Sequence, residues 1–166
     1  MIKLMLGIAI VAFCGFMGYF LSKKYRRRKE FFLQWLQFNE RFLTEIAYYK
    51  RPLLKFLSAY TYKGEFSIFL EGFQQTLTGE GDGGRRVLLI GKDELPFLTA
   101  DELTFLVDYF QMLGRGNSDA QKLYFNTAKM QIESWKEKSV EESKKYGDLY
   151  LKLGVLLGIA ILIIIV

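Results

Sequence analysis

Histidine is absent from the 166-residue chain, and cysteine occurs once, at Cys14. No imidazole base and no imidazole-bearing metal site can be built, and one thiol forms neither an internal disulfide nor a thiolate zinc cage. Enzymes that work through histidine are therefore excluded. Charge is missing from both ends of the chain, since neither Leu4 to Leu21 nor Leu153 to Val166 contains an Asp, Glu, Lys or Arg. The bulk figures of 51% apolar and 25% charged residues, with a formal net charge of +5, conceal that partition. A length of this order suits one domain, here with apolar segments on either side of it.

The first uncharged stretch has 18 residues. At about 1.5 Å per helical residue it spans roughly 27 Å, close to the hydrocarbon thickness of a bilayer. It reads as a membrane helix over residues 1–21. A cleaved signal is disfavoured because no A-x-A-like site precedes Lys23 and the basic flank follows the apolar run. A lipoprotein site at Cys14 is disfavoured by the bulky Phe13 just before it. The C-terminal stretch, 153–166, reaches only about 21 Å. Extended back to Leu149 it includes Lys152, whose stem can carry its ammonium to the headgroups, and it reads as a second, short span. The alternative is a buried helix of a soluble domain, against which the run Ile159 to Val166 shows no polar face.

Orientation follows from Lys23, Lys24, Arg26, Arg27, Arg28 and Lys29, six bases in seven positions, opposed by Lys3 alone on the other side of the first span. Bases beside a span stay cytoplasmic, so residues 22–152 are predicted to be cytosolic and both termini outside. The same cluster would attract anionic lipid headgroups. Between residues 30 and 152 there are 16 bases and 18 acids, which argues against a nucleic-acid surface.

The middle reads as a helical bundle, giving an all-α chain with a transmembrane helix at each end. Phe32, Trp35, Leu36, Phe42, Leu43, Ile46 and Tyr49 recur at helical spacing, and the helix that carries them can continue from the first span. Pro52 ends it, predicting a corner at Lys50 and Arg51 and a short helix with Leu53, Leu54, Leu57 and Tyr60. A third helix after Gly64 would bury Phe66, Phe69, Leu70, Phe73 and Leu77. Thr99 and Glu102 form a capping box before Leu103, Leu106, Val107, Phe110 and Leu113, and Gly114 can stop that helix. The next is predicted to start at Asn117 or Ser118, with Gln121 reciprocating the cap. Its stripe Ala120, Leu123, Thr127, Met130 and Ser134 predicts a narrow seam against another helix.

No chemistry-bearing constellation stands out. In the stretch Thr78 to Gly84 four of seven residues are glycine, and Arg85 and Arg86 follow, but the lysine and hydroxyl of a phosphate loop are missing there and at Gly91, Lys92 and Asp93. A surface connection is the simpler reading, with Val87 to Ile90 as a buried helical turn rather than a lone strand. Neighbouring carboxylates such as Asp101 with Glu102, and Glu141 with Glu142, point apart on a helix. No enzyme, cofactor or metal is expected. Gly154 and Gly158 form a G-x-x-x-G that lets two membrane helices approach. The partner helix can be the first span or another subunit; separately, a homo-oligomer is a possible partner state.

Three blocks carry a family resemblance. Lys145 to Gly158, ending in an Ile/Leu-only tail, resembles the closing signature of the stage III sporulation protein AB family. Glu45, Ile46 and Tyr48 with Pro52 and Leu53 resemble its E-I-x-Y-x-x-x-P-L segment. Leu113, Gly114 and Gln121 fit an L-G-x-x-D-x-x-x-Q pattern, with Asn117 in place of the aspartate; asparagine caps a helix equally well. The stretch from Thr61 to Thr99 carries no recognisable motif.

The resemblance implies a component of the secretion-like complex between mother cell and forespore, in the mother-cell membrane around the forespore. It further implies a cytosolic bundle similar to the platform F proteins of type II secretion and type IV pilus machines. Expected partners are the stage III sporulation AA-type ATPase, other stage III sporulation membrane proteins, and lipid. The competing expectation is a membrane-anchored sensor binding an anionic ligand near Arg85 and Arg86.

Overall fold

The computed structural model describes residues 2–49, 51–78, 95–115 and 117–165. Among the described residues the regular structure is entirely helical. Helix α1 runs Ile2–Thr44 and is followed by a single π-helical turn, Glu45–Tyr49. Then come α2 (Leu53–Ala59), α3 (Gly64–Thr78), α4 (Ala100–Met112) and α5 (Ser118–Glu142). A second π turn, Ser143–Gly147, leads into α6 (Asp148–Ile165). The chain divides into two compact units, Glu30–Lys136 and the pair of terminal segments Met1–Lys29 with Glu137–Val166.

In the central unit more than half of the buried apolar core residues are aromatic. Phe31, Phe32, Trp35, Phe38 and Phe42 project from α1 at three- and four-residue spacing and are buried, as is Ile46 in the π turn. They meet Phe56 and Leu57 of α2, Phe66, Phe69, Leu70 and Phe73 of α3, Leu106, Tyr109 and Phe110 of α4, and Phe125 and Ile132 of α5. Phe110 packs edge-on against Phe69 and Phe73, with centroids 4.7 and 5.0 Å away. Such edge-to-face pairs add about 0.5–1.5 kcal/mol to the burial of the rings themselves.

A buried amide bridges three of these helices. Asn39, fully buried on α1, donates from Nδ2 to the Phe125 carbonyl of α5 at 3.1 Å, and its Oδ1 accepts from the Tyr109 hydroxyl of α4 at 2.8 Å. Burial pushes the Tyr109 phenol well above its ordinary value, so the hydroxyl remains a donor. Three helices are thereby fixed in register by one amide.

The helix ends follow local chemistry. Thr99 caps α4 by accepting from the Glu102 N–H at 3.4 Å, and Glu102 Oε2 accepts from the Thr99 N–H at 2.8 Å, the reciprocal box predicted. Gly114 takes φ 75°, the left-handed conformation that releases the chain after α4. The start of α5 differs from expectation. Asn117 is the cap, its Oδ1 accepting from the Ala120 N–H at 2.8 Å, while Gln121 donates from Nε2 to the Arg115 carbonyl at 2.8 Å. The shorter asparagine already occupies the orphan donor, which frees Gln121 to brace the preceding turn.

The predicted seam on α5 is corrected. Ala120, Leu123, Thr127, Met130 and Ser134 are not in the core, Leu123 and Met130 being strongly exposed, and the buried stripe is Gln121, Phe125, Ala128 and Ile132. The buried stripe carries the face's one ring, Phe125, which packs edge-on against Phe42 and Tyr109 of the core. Leu54, Leu77 and Tyr49 are likewise exposed rather than packed, and Tyr60 lies just past α2. The glycine-rich stretch 79–84, Val87 to Ile90, Gly91 to Asp93 and Lys50 lie outside the described residues.

In the terminal unit, α1 and α6 approach closely through small residues. A Cβ added at Gly18 would meet the Tyr150 carbonyl oxygen at 2.5 Å, and one at Gly154 would meet the Cys14 carbonyl oxygen at 2.6 Å. At Gly158 it would meet Val11 Cα at 2.9 Å. No side chain larger than hydrogen fits at these backbone crossings, which is how small-x-x-x-small faces let helices approach. The G-x-x-x-G thus packs on the chain's own N-terminal segment. Tyr25 stacks near Tyr146 and Tyr150, with centroids 5.5 and 6.0 Å away. Leu156, Leu157 and Ile163 face outward. Among the described residues, one helical stretch, Ser118–Ile163, contains a window apolar enough to cross a membrane, and that window is 12% buried.

Candidate functional site

The residues of two sequence blocks come together at one corner of the central unit. The π turn Glu45–Tyr49 widens the last turn of α1, and Pro52, at the start of α2, prevents the helix from continuing. The chain therefore folds back so that Arg51 reaches Glu45. Arg51 Nε donates to Oε1 and Oε2 of Glu45 at 2.9 and 3.1 Å, Nη2 donates to Oε2 at 2.5 Å, and the Arg51 backbone N–H donates to Oε1 at 2.9 Å. Glu45 is 3% exposed, and its carboxylate would be costly to bury unpaired. The Arg51 guanidinium, hydrogen-bonded to it, holds the Glu45 carboxyl below its ordinary value against the opposing effect of burial. The same bonds, and one to Tyr60, raise Arg51 above its ordinary value.

Beside this pair lies a cavity of about 180 Å³ lined by Phe42, Glu45, Ile46, Arg51, Leu53, Gly114, Ser118 and Gln121. Glu45, Ile46 and Leu53 come from the first block, and Gly114 and Gln121 from the second. Leu53 also approaches Gly114, where an added Cβ would lie 3.6 Å from Leu53 Cδ2. Leu113 is buried and Asn117 caps α5 next to the cavity wall. Tyr48 turns the other way and is 80% exposed, while Tyr49 is 64% exposed with the Arg51 guanidinium 5.1 Å from its ring centre. Pro52, Leu54 and Arg115 are exposed as well. The corner thus has a rigid buried base and a surface of tyrosine, arginine, proline and leucine.

Sequence reasoning does not single out Arg51 as a partner of Glu45. A separation of six residues matches no helical pairing, and only the π turn and Pro52 make it a contact. Periodicity places Phe42 in the core and capping chemistry places Ser118 at a helix start, but neither signal shows that they share a wall. Arg85 and Arg86, expected to hold an anionic ligand in the sensor reading, lie outside the described residues. Of the basic cluster, Lys23, Lys24, Arg26 and Arg27 are exposed and Lys29 is half-buried. Arg28 is drawn inward and pairs with Glu142 at 3.5 Å. Among the described residues no group of three or more Cys, Asp or Glu is placed to hold a metal ion.

These features define a protein whose described regular structure is all helical, with an apolar, membrane-capable C-terminal helix and a polar-surfaced helical unit. A family model for stage III sporulation protein AB matches residues 3–166, and the chain belongs to that family. No curated protein and no solved structure matches it, so the likeness to secretion platform proteins rests on the sequence resemblance alone.

Proposed function

We propose that this sporulation protein is a non-enzymatic membrane platform of the secretion-like complex between mother cell and forespore, and that the Tyr48 corner docks its cytosolic AA-type ATPase. The observation that carries the reading is the division of labour at that corner. Buried Glu45 and Ile46, with half-buried Leu53, fix the backbone, and Tyr48, Tyr49 and Arg51 are presented to solvent. Large exposed aromatics and arginine on a rigid base are the residue types that dominate interface energetics. Other stage III sporulation membrane proteins and lipid would be its neighbours in the membrane.

Two spans would hold this unit at the cytoplasmic surface with both termini outside. The close approach of Gly18, Gly154 and Gly158 to the facing backbone supports a hairpin of the two apolar ends, and the exposed bases Lys23, Lys24, Arg26 and Arg27 support the orientation. The experiment is co-purification of the cognate ATPase by the full-length chain in detergent. Tyr48→Ala with Tyr49→Ala should weaken capture by about tenfold or more and reduce spore formation, while leaving the helical spectrum unchanged. Undiminished capture refutes the docking face, and fractionation of the chain into the soluble phase refutes the platform.

A further inference from the structure

The outward stripe Ala120, Leu123, Thr127, Met130 and Ser134 alternates steps of three and four residues on the opposite side of α5 from Phe125 and Ile132. Leu123 and Met130 are 73% and 66% exposed, so among the described residues no part of the central unit covers this face. The spacing is that of a two-stranded coiled-coil seam, with Ala120, Thr127 and Ser134 at a positions and Leu123 and Met130 at d. In that register Asp119, Asn126 and Glu133 are at g, and Tyr124, Gln131 and Lys138 are at e.

We propose that this seam is the interface with a second copy of the chain, and that the two α5 helices pair in parallel. Parallel pairing sets each g residue against the e residue five positions further along the other copy. Asn126 then faces the Gln131 amide and Glu133 faces Lys138: amide meets amide, and acid meets base. Antiparallel pairing with Ala120 against Met130 sets Asp119 against Glu133, two carboxylates. The small residues at a allow close approach, and Leu123 and Met130 supply the apolar filling. The interface uses none of the residues of the Tyr48 corner, so it goes beyond the docking reading and leaves that corner open.

The test uses the purified full-length chain in detergent with Cys14→Ser as background. Leu123→Cys or Met130→Cys is oxidised and compared with Ile68→Cys, an equally exposed apolar position on α3. The two seam variants should form disulfide dimers at least tenfold faster than the Ile68 variant. Mixing the two, one with a size tag, should give mostly 123–123 and 130–130 products. Rates no higher than at Ile68, or a majority of 123–130 hybrids, overturn the proposal. Independently, Leu123→Glu with Met130→Glu should halve the protein mass measured by light scattering. An unchanged mass overturns it too.

Discussion

The amide of Asn39 can be tested as the fastener of α1, α4 and α5. Tyr109→Phe removes only the hydroxyl that donates to Asn39 Oδ1 at 2.8 Å and leaves that oxygen dry, because both residues are fully buried. Stranding a buried polar group costs about 1–3 kcal/mol, more than the 0.5–1.5 kcal/mol that an average hydrogen bond contributes net. For a chain of 166 residues that corresponds to a fall in Tm of roughly 3–10 °C. Asn39→Ala strands the Tyr109 hydroxyl in turn and opens a small cavity. The Phe125 carbonyl loses a side-chain donor but keeps its place in the α5 ladder.

The double variant leaves neither group stranded, so it should be less destabilised than the sum of the singles. The coupling should be about 1–3 kcal/mol. Denaturant unfolding of the four full-length proteins in one detergent, followed by circular dichroism, measures the cycle. Additivity within about 0.5 kcal/mol would falsify the claim that the two side chains act as one network.

Phe110→Ala, which empties the contacts to Phe38, Phe66, Phe69 and Phe73, should cost about 3–5 kcal/mol in the same unfolding assay. Thr99→Ala opens the capping box and should cost about 1 kcal/mol, with Thr99→Ser restoring most of it. A Cβ at Gly158 would stand 2.9 Å from Val11 Cα, a backbone atom, so Gly158→Leu should force α1 and α6 apart and lower the thermal midpoint of the full-length chain in detergent. Gly154→Leu, colliding with the Cys14 carbonyl, should do the same. Glu45 is held below its ordinary value of 4.5, so the stability it contributes is complete above that value and is lost as pH falls through the depressed one. Glu45→Gln should therefore flatten the acid limb of a stability–pH curve; an unchanged limb assigns acid unfolding to other carboxylates.

Much of the fold is legible in the sequence because the central core obeys helical periodicity. Phe66, Phe69, Leu70 and Phe73, or Leu103, Leu106 and Phe110, are buried as their spacing requires, and the Thr99–Glu102 box is local chemistry. The reading fails where two stripes compete on one helix. On α5 the coiled-coil spacing of Leu123 and Met130 obscures the core stripe of Phe125 and Ile132, and local pattern cannot say which of two apolar faces a domain keeps for itself. It also fails at π turns, where one extra residue per turn shifts the register. That shift turns Tyr49 outward from a stripe that predicts it inside, and brings Glu45 within reach of an arginine six residues away.

The Glu45–Arg51 pair shows how the candidate site and its sequence motif are related. A buried carboxylate gains little over an apolar residue of the same volume once desolvation is counted, so stability alone is a weak reason for its presence. Its geometry supplies another. The carboxylate accepts both from the guanidinium and from the Arg51 backbone N–H, and so fixes the main chain immediately before Pro52. An apolar pair would pack equally well yet leave that N–H without a partner and the turn free to rotate. The motif residues therefore serve chiefly to hold a bend whose outer surface is Tyr48 and Tyr49. Glu45→Gln with Arg51→Leu should then leave the helical content intact while loosening the corner, and ATPase capture should fall even though neither exposed tyrosine has been altered.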